Sequence, residues 1–300
     1  MVILIAGSTG FVGSEVALNL QQRGHQVLAL TRGGHFNPKA QRLLGAGVKV
    51  LDGDLTRPDT LLSACSGVEA VVTTATSMPT GADDGLRRVD REGSLALIDA
   101  AARQGVRRFV YISYSGNIQE DCALTTAKRD CETHLLSSGM EAIRLRPSYF
   151  MEMWLSPALG FDPQRGCARI CGSGGAKVSY ISVFDVADFA VAATTKTYPR
   201  KNVVLEMGGP EPLSQLDAVL IFERALGKEI NVEHVPLETL RAQHQSLDPL
   251  QKTFAALMLN YAQGDIVQEA VNNAEEHGIE LGSVSDYASS CHARAAAISP

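Results

Sequence analysis

A chain of 300 residues with 45% hydrophobic and 20% charged content has ample length for one large α/β domain or two smaller ones around a sizeable core. A net charge of −6 without a basic stripe argues against a nucleic-acid partner, and the densest positive cluster, Arg103, Arg107 and Arg108, reads as a solvated helix end. No apolar run approaches the roughly 20 residues of a membrane span, no leader precedes the first apolar run, and six cysteines without paired C-x-x-C spacing give no metal site, so no membrane partner and a cytoplasmic location are expected.

The first stretch organises the rest. Val2–Ala6 is an almost unbroken apolar run, the pattern of a strand covered on both faces of a parallel sheet. It opens into Gly7, Gly10 and Gly13, after which Phe11, Val12, Val16, Leu18 and Leu20 shift toward helical spacing. A tight turn at Gly7, close backbone approach at Gly10 and helix–strand packing at Gly13 form a dinucleotide-binding turn. The amides across Thr9, Phe11, Val12 and Gly13, and the positive helix end, face a pyrophosphate.

A second strand, Gln26–Thr31, ends at Arg32, where an NAD-preferring site places a carboxylate on the adenosine ribose. Arg32, with Lys39 farther on, suits a 2′-phosphate instead, so NADP(H) is the expected cofactor. A polar helix around Pro38–Ala46 and a third strand, Val48–Leu51, lead to Asp54 and Leu55. Asp54 is placed to accept from the adenine amino group and Leu55 to cover the ring; the plainer alternative is a capping turn with Thr56 or Asp59 as cap. The fourth strand, Val68–Thr73, runs into Thr74, Ala75, Thr76 and Ser77, small residues that leave room for a flat ring.

Helix Leu86–Gln104, strand Phe109–Ser113, helix Thr125–Ser138 and strand Glu141–Leu145 continue the alternation of a doubly wound parallel sheet. Residues 1–155 are expected to form this nucleotide-binding domain, and 156–300 a smaller, mainly helical lobe that returns a late strand, Val203–Met207, and a helix to the sheet. Within the later stretch, Cys167–Cys171 and Val178–Ser182 read as short strands, Ser214 as the N-cap of Gln215–Leu226, Pro249 as a helix start and Gly278 as a helix end. The chain beyond Pro236 shows no catalytic cluster.

Val2–Gly13, Arg32, Gly53–Leu55, Lys128–Glu132, Ser138–Pro147, Phe150–Glu152, Asp185–Asp188 and Gly209–Ser214, taken in order, resemble the NmrA-like group of atypical short-chain dehydrogenases. The resemblance implies a Rossmann domain with a C-terminal substrate lobe, NADP(H) binding, and either reductase activity or dinucleotide sensing. One departure matters. The wider superfamily uses Tyr-x-x-x-Lys, and here Leu124 stands where the tyrosine would be while Lys128 remains. The resemblance to isoflavone-reductase-like members makes Lys128 the acid or base as well as a cofactor ligand, with Ser115 at the usual serine position as helper. An exposed lysine paired with Glu132 at i+4 is the plain alternative.

Tyr149, Phe150, Met151, Met153 and Trp154 suit a flat apolar substrate, or equally simply cover the core, with Tyr149 and Tyr180 as reserve proton donors. The expected activity is NADPH-dependent reduction of a conjugated or aromatic carbonyl compound by a monomer or homodimer. The rivals are a non-catalytic NADP(H)-sensing regulator and an isomerase or dehydratase that keeps its cofactor.

Overall fold

The computed structural model describes residues 1–78 and 84–298. Two compact units make up the chain, and they interleave: one comprises 1–114, 123–146 and 186–205, the other 115–122, 147–185 and 206–300. Segment 186–205, which holds most of a late helix and strand, belongs to the first unit.

The first unit is built on strands β1 (Val2–Ala6), β2 (Gln26–Thr31), β3 (Lys49–Asp52), β4 (Ala70–Thr73), β5 (Arg108–Ile112), β6 (Glu141–Pro147) and β10 (Asn202–Met207). Their order in the sheet is β10-β6-β5-β4-β1-β2-β3, with β1 pairing in parallel to both β2 and β4. The order reverses beside β1, and in such sheets ligands bind at the carboxyl ends of the strands flanking that point. Ile3, Leu4 and Ile5 are fully buried, each contributing roughly 1.5–3 kcal/mol by leaving water.

The crossovers are α1 (Phe11–Gln22), α2 (Gln41–Gly45), α3 (Pro58–Ala64), α4 (Ser94–Arg103), α5 (Ala123–Leu136) and α7 (Val183–Thr195). The helix expected over Leu86–Gln104 is not uniform: Leu86–Gly93 is wound as a π-helix before α4 begins. Two polar side chains, Asp90 and Ser94, are turned into the protein there, and Gly93 lies so close to Leu55 that a Cβ would stand 2.8 Å from the Leu55 carbonyl oxygen.

The second unit holds α6 (Met151–Trp154), β7 (Phe161–Asp162), β8 (Cys167–Cys171), β9 (Lys177–Val178), β11 (Leu213–Ser214), α8 (Gln215–Leu226), β12 (Asn231–Val235), α9 (Leu237–His244), α10 (Pro249–Gln263), α11 (Ala270–His277) and α12 (Val284–Ile298). Strand β12, which periodicity does not reveal because its side chains are mostly exposed, pairs in parallel with β8. Ser214 caps α8 as expected, in a reciprocal box: its hydroxyl accepts from the Asp217 amide at 3.0 Å and Asp217 accepts from the Ser214 amide at 2.9 Å. No helix among the described residues is long and apolar enough to cross a membrane.

Candidate functional site

Between β1 and α1 the chain turns at Gly7, whose φ of +82° is open only to glycine at little cost. A Cβ on Gly7 would stand 2.6 Å from Thr74 Oγ1 and 2.7 Å from the Ala75 amide nitrogen. A Cβ on Gly13 would collide with the Gly7 carbonyl oxygen and stand 2.6 Å from Thr74 Oγ1. The Gly10 amide donates to Gly7 O at 3.0 Å, and Thr74 Oγ1 donates to the same oxygen at 3.2 Å. The structure thus brings Gly7, Gly10, Gly13, Thr74 and Ala75 together at the carboxyl ends of β1 and β4. Helix α1 starts after Gly10 with no side-chain cap and no acidic residue in its first turn, which leaves its leading amides for a ligand. Thr9 is half-buried, Val12 packs inward and Phe11 is 74% exposed at the mouth.

At the end of β2, Arg32 is exposed and has no ion-pair partner among the described residues. Its surroundings are fixed: Gly33 N–H donates to Asp52 Oδ1 at 2.9 Å, and Asn37 Nδ2 donates to Arg32 O at 3.1 Å. Phe36, 81% exposed, stacks on His35 beside it with ring centroids 3.9 Å apart. After β3, Asp54 Oδ1 accepts from both the amide and the hydroxyl of Thr56 at 2.9 Å, so Asp54 itself closes the turn. Neither Thr56 nor Asp59 caps α3, which follows Arg57 without a side-chain cap. Leu55 is buried in the hydrophobic core rather than displayed.

Lys128 is not an exposed helix lysine. It is 7% exposed, and its Nζ donates to the Ile112 carbonyl at the end of β5, 2.9 Å away, while lying 5.1 Å from the centre of the Tyr111 ring. Burial pushes its ammonium below the usual lysine range, opposed by Asp90, Cys131 and Glu132, with Arg129 adding to the push. Glu132 does not pair with Lys128 as i+4 spacing suggests. Its carboxylate accepts from Arg129 Nη1 at 2.7 Å and Arg146 Nε at 3.1 Å. Burial opposes that charge, but hydrogen bonds from Arg146 and Ser113 hold the carboxyl below its ordinary value. A groove of about 330 Å³ between Arg107, Met140 and Lys201 lies at the opposite, amino ends of these strands.

In the second unit, Ser115 is fully buried and its hydroxyl donates to Asp265 Oδ1 at 2.7 Å. Asp265 also accepts from Ser148 Oγ at 2.7 Å and Asn117 Nδ2 at 2.8 Å, so Ser115 belongs to a closed hub that pins the turn after α10. Tyr149 and Trp154 do come together, edge to face at 4.6 Å, around Tyr261, whose ring is 5.0 and 4.5 Å from theirs. Phe150 precedes α6 and bridges to Ile181, and Met153 is half-buried on α6. The reserve donors are occupied: Tyr149 OH donates to Leu257 O at 3.2 Å, and Tyr180 shares a short hydrogen bond with Tyr261. Sequence reasoning missed Tyr261 and Asp265. The signal present was Tyr-Ala-Gln-Gly-Asp at 261–265, a helix stop carrying a carboxylate.

The pattern of the NmrA-like family matches residues 1–277. The chain belongs to the NmrA-like family. Among relatives of this NmrA-like chain, the photosystem II assembly factor Ycf39 of Trieres chinensis is 31% identical, the match covering 80% of this chain and 74% of that one. The NAD(P)H azoreductase of Xenophilus azovorans is 30% identical over 79% of this chain and 78% of its own. The Escherichia coli NADPH-dependent quinone oxidoreductase QOR2, solved with NADPH, superposes with a TM-score of 0.78 at 21% identity, covering 97% and 99% of the two chains. At that identity the likeness speaks for the fold.

Proposed function

We propose that the chain is an NADPH-dependent reductase acting on a flat conjugated or aromatic compound, a quinone or related carbonyl. The observation that carries the reading is the glycine turn at Gly7–Gly13, packed so closely on itself and on Thr74 that a Cβ at Gly7 or Gly13 would clash, beneath an uncapped helix end and next to β2, which leads into Arg32. The residues fit a dinucleotide: amides of residues 9–13 toward the diphosphate, Arg32 toward a 2′-phosphate, Thr74 and Ala75 along the cofactor, and Lys128 toward the nicotinamide end. The NAD(P)H azoreductase relative supports reductase chemistry with a nicotinamide cofactor.

When bound, the nicotinamide supplies a hydride. The chain supplies the rest. Lys128 gives one proton to Ile112 O, which orients the amine and leaves its remaining protons for a substrate oxygen on which negative charge develops. It delivers one proton per turnover and is reprotonated from solvent, so substrate plus hydride plus proton balances to the reduced product. Ser115, closed onto Asp265, serves as a positioning residue. The test is NADPH consumption against a panel of quinones, enones and aromatic ketones; turnover on at least one supports the reading, and tight NADPH binding with no turnover on any overturns it.

The second reading, a cofactor-binding assembly or regulatory protein without turnover, is favoured by the Ycf39 relative and by Leu124 in place of the tyrosine. It requires a partner protein whose binding changes between NADPH and NADP⁺, measured by pull-down with each form.

A further inference from the structure

Side chains from the π-helical segment and β5 approach Lys128 on α5, and one of them keeps a buried oxygen without a hydrogen-bond partner. Asp90, on the π-helical segment, is 1% exposed. Its Oδ2 accepts from the Ser77 amide at 2.9 Å and the Ser77 hydroxyl at 2.6 Å, yet its Oδ1 is buried with no hydrogen-bond partner. Leaving a carboxylate oxygen unpaired inside a protein is expensive, and a group present only to tie the Ser77 loop could do so as an amide. The same backbone is anchored toward α5, since Cys131 Sγ donates to Asp90 O at 3.5 Å. What a carboxylate has and an amide lacks is charge.

We propose that Asp90 is a positioning residue for Lys128: steered by Ser77 from the loop after β4, it is the counter-charge that keeps the buried amine an ammonium. The groups facing Lys128 are Asp90 from the π-helix, the Tyr111 ring from β5, and Arg129, Cys131 and Glu132 from its own helix. Glu132 is committed to Arg129 and Arg146, so its charge is largely spent, and Arg129 repels the amine. Among the groups opposing the desolvation of Lys128, Asp90 acts most strongly. Asp90 lies on the inward face of the π-helical segment, with Leu86 and Gly93.

The inference rests on Lys128 as the proton donor of the proposed reductase, and its test reads the amine without turnover. The full-length protein is labelled with ¹³C at lysine Cε and aspartate Cγ, and the Lys128 resonance is followed against pH in the unsubstituted chain and in Asp90→Asn, which keeps an acceptor for Ser77. The expected result is about a tenfold rise in the neutral fraction of Lys128 at a given pH in Asp90→Asn. Asp90→Glu, which keeps the charge, is the second variant and is expected to hold the Lys128 midpoint close to that of the unsubstituted chain. An unmoved Lys128 midpoint in folded Asp90→Asn, or a midpoint in Asp90→Glu displaced as far as a neutral side chain would displace it, overturns the proposal. A moved midpoint in a protein that reduces nothing keeps the counter-charge and removes the reductase reading.

Discussion

The glycine turn and the Lys128 neighbourhood stand in one unit and are made by opposite means. At Gly7–Gly13 the proposed binding capacity comes from backbone: the absence of three side chains, one positive φ and an uncapped helix start, all within a dozen consecutive residues. Around Lys128 it comes from side chains on α5, β5, β6 and the π-helix, drawn from positions 90 to 146, and the state of the amine belongs to the group. The contrast teaches that a backbone site tolerates no added atom, whereas a side-chain site is tuned by charge and can be altered without a clash.

The largest effect is expected on the backbone side. Gly13→Val drives its Cβ into the Gly7 carbonyl, and NADPH affinity by calorimetry should fall by about a thousandfold or more, roughly 4 kcal/mol. Near wild-type affinity would mean that the turn relaxes and that the contrast is false.

Next is the ionic side. Glu132→Gln strands arginines that now share a buried carboxylate, and should destabilise the protein by about 3 kcal/mol at neutral pH in denaturant titrations. Because the folded carboxyl titrates below its ordinary value of 4.5, its contribution is complete above that value and is lost as the pH falls through the folded pKa. The stability gap between Glu132→Gln and the unsubstituted protein should therefore narrow in acid.

Lys128→Met should lower turnover about a hundredfold while changing NADPH affinity far less, which separates the tuned site from the rigid one. Since burial lowers the Lys128 pKa, the donor is lost as pH rises through that depressed value, and turnover should fall at a pH below the ordinary lysine range of 10.5.

The smallest effect is at the edge of the nucleotide site. Arg32→Asp should weaken NADPH about tenfold and leave NADH nearly unchanged, because an exposed guanidinium works through solvent-screened charge. Equal losses would remove Arg32 from the 2′-phosphate.

The strand–turn–helix at the amino terminus, the parallel alternation through Glu141–Pro147 and the Ser214 cap could be read from the chain, because apolar period, glycine spacing and capping chemistry act over a few residues. Asp54 shows where such reading thins. A carboxylate at a strand end predicts a ligand contact or a cap equally well, and the fold commits one of its oxygens to Thr56. Strand β12 carries no alternating pattern, and the Asp265 hub joins Ser115, Asn117 and Ser148 across about 150 positions of chain.

By itself the sequence determined the doubly wound sheet, the glycine cradle and the family, each of which is encoded by neighbours along the chain. Only the tertiary structure decided that Lys128 is buried, that Glu132 serves the arginines, that Ser115 is closed onto Asp265 and that Asp90 is left with an unpartnered oxygen. Those outcomes depend on burial and on charges from distant segments meeting in a low-dielectric interior, where interaction strength is set by separation in space and by lost water.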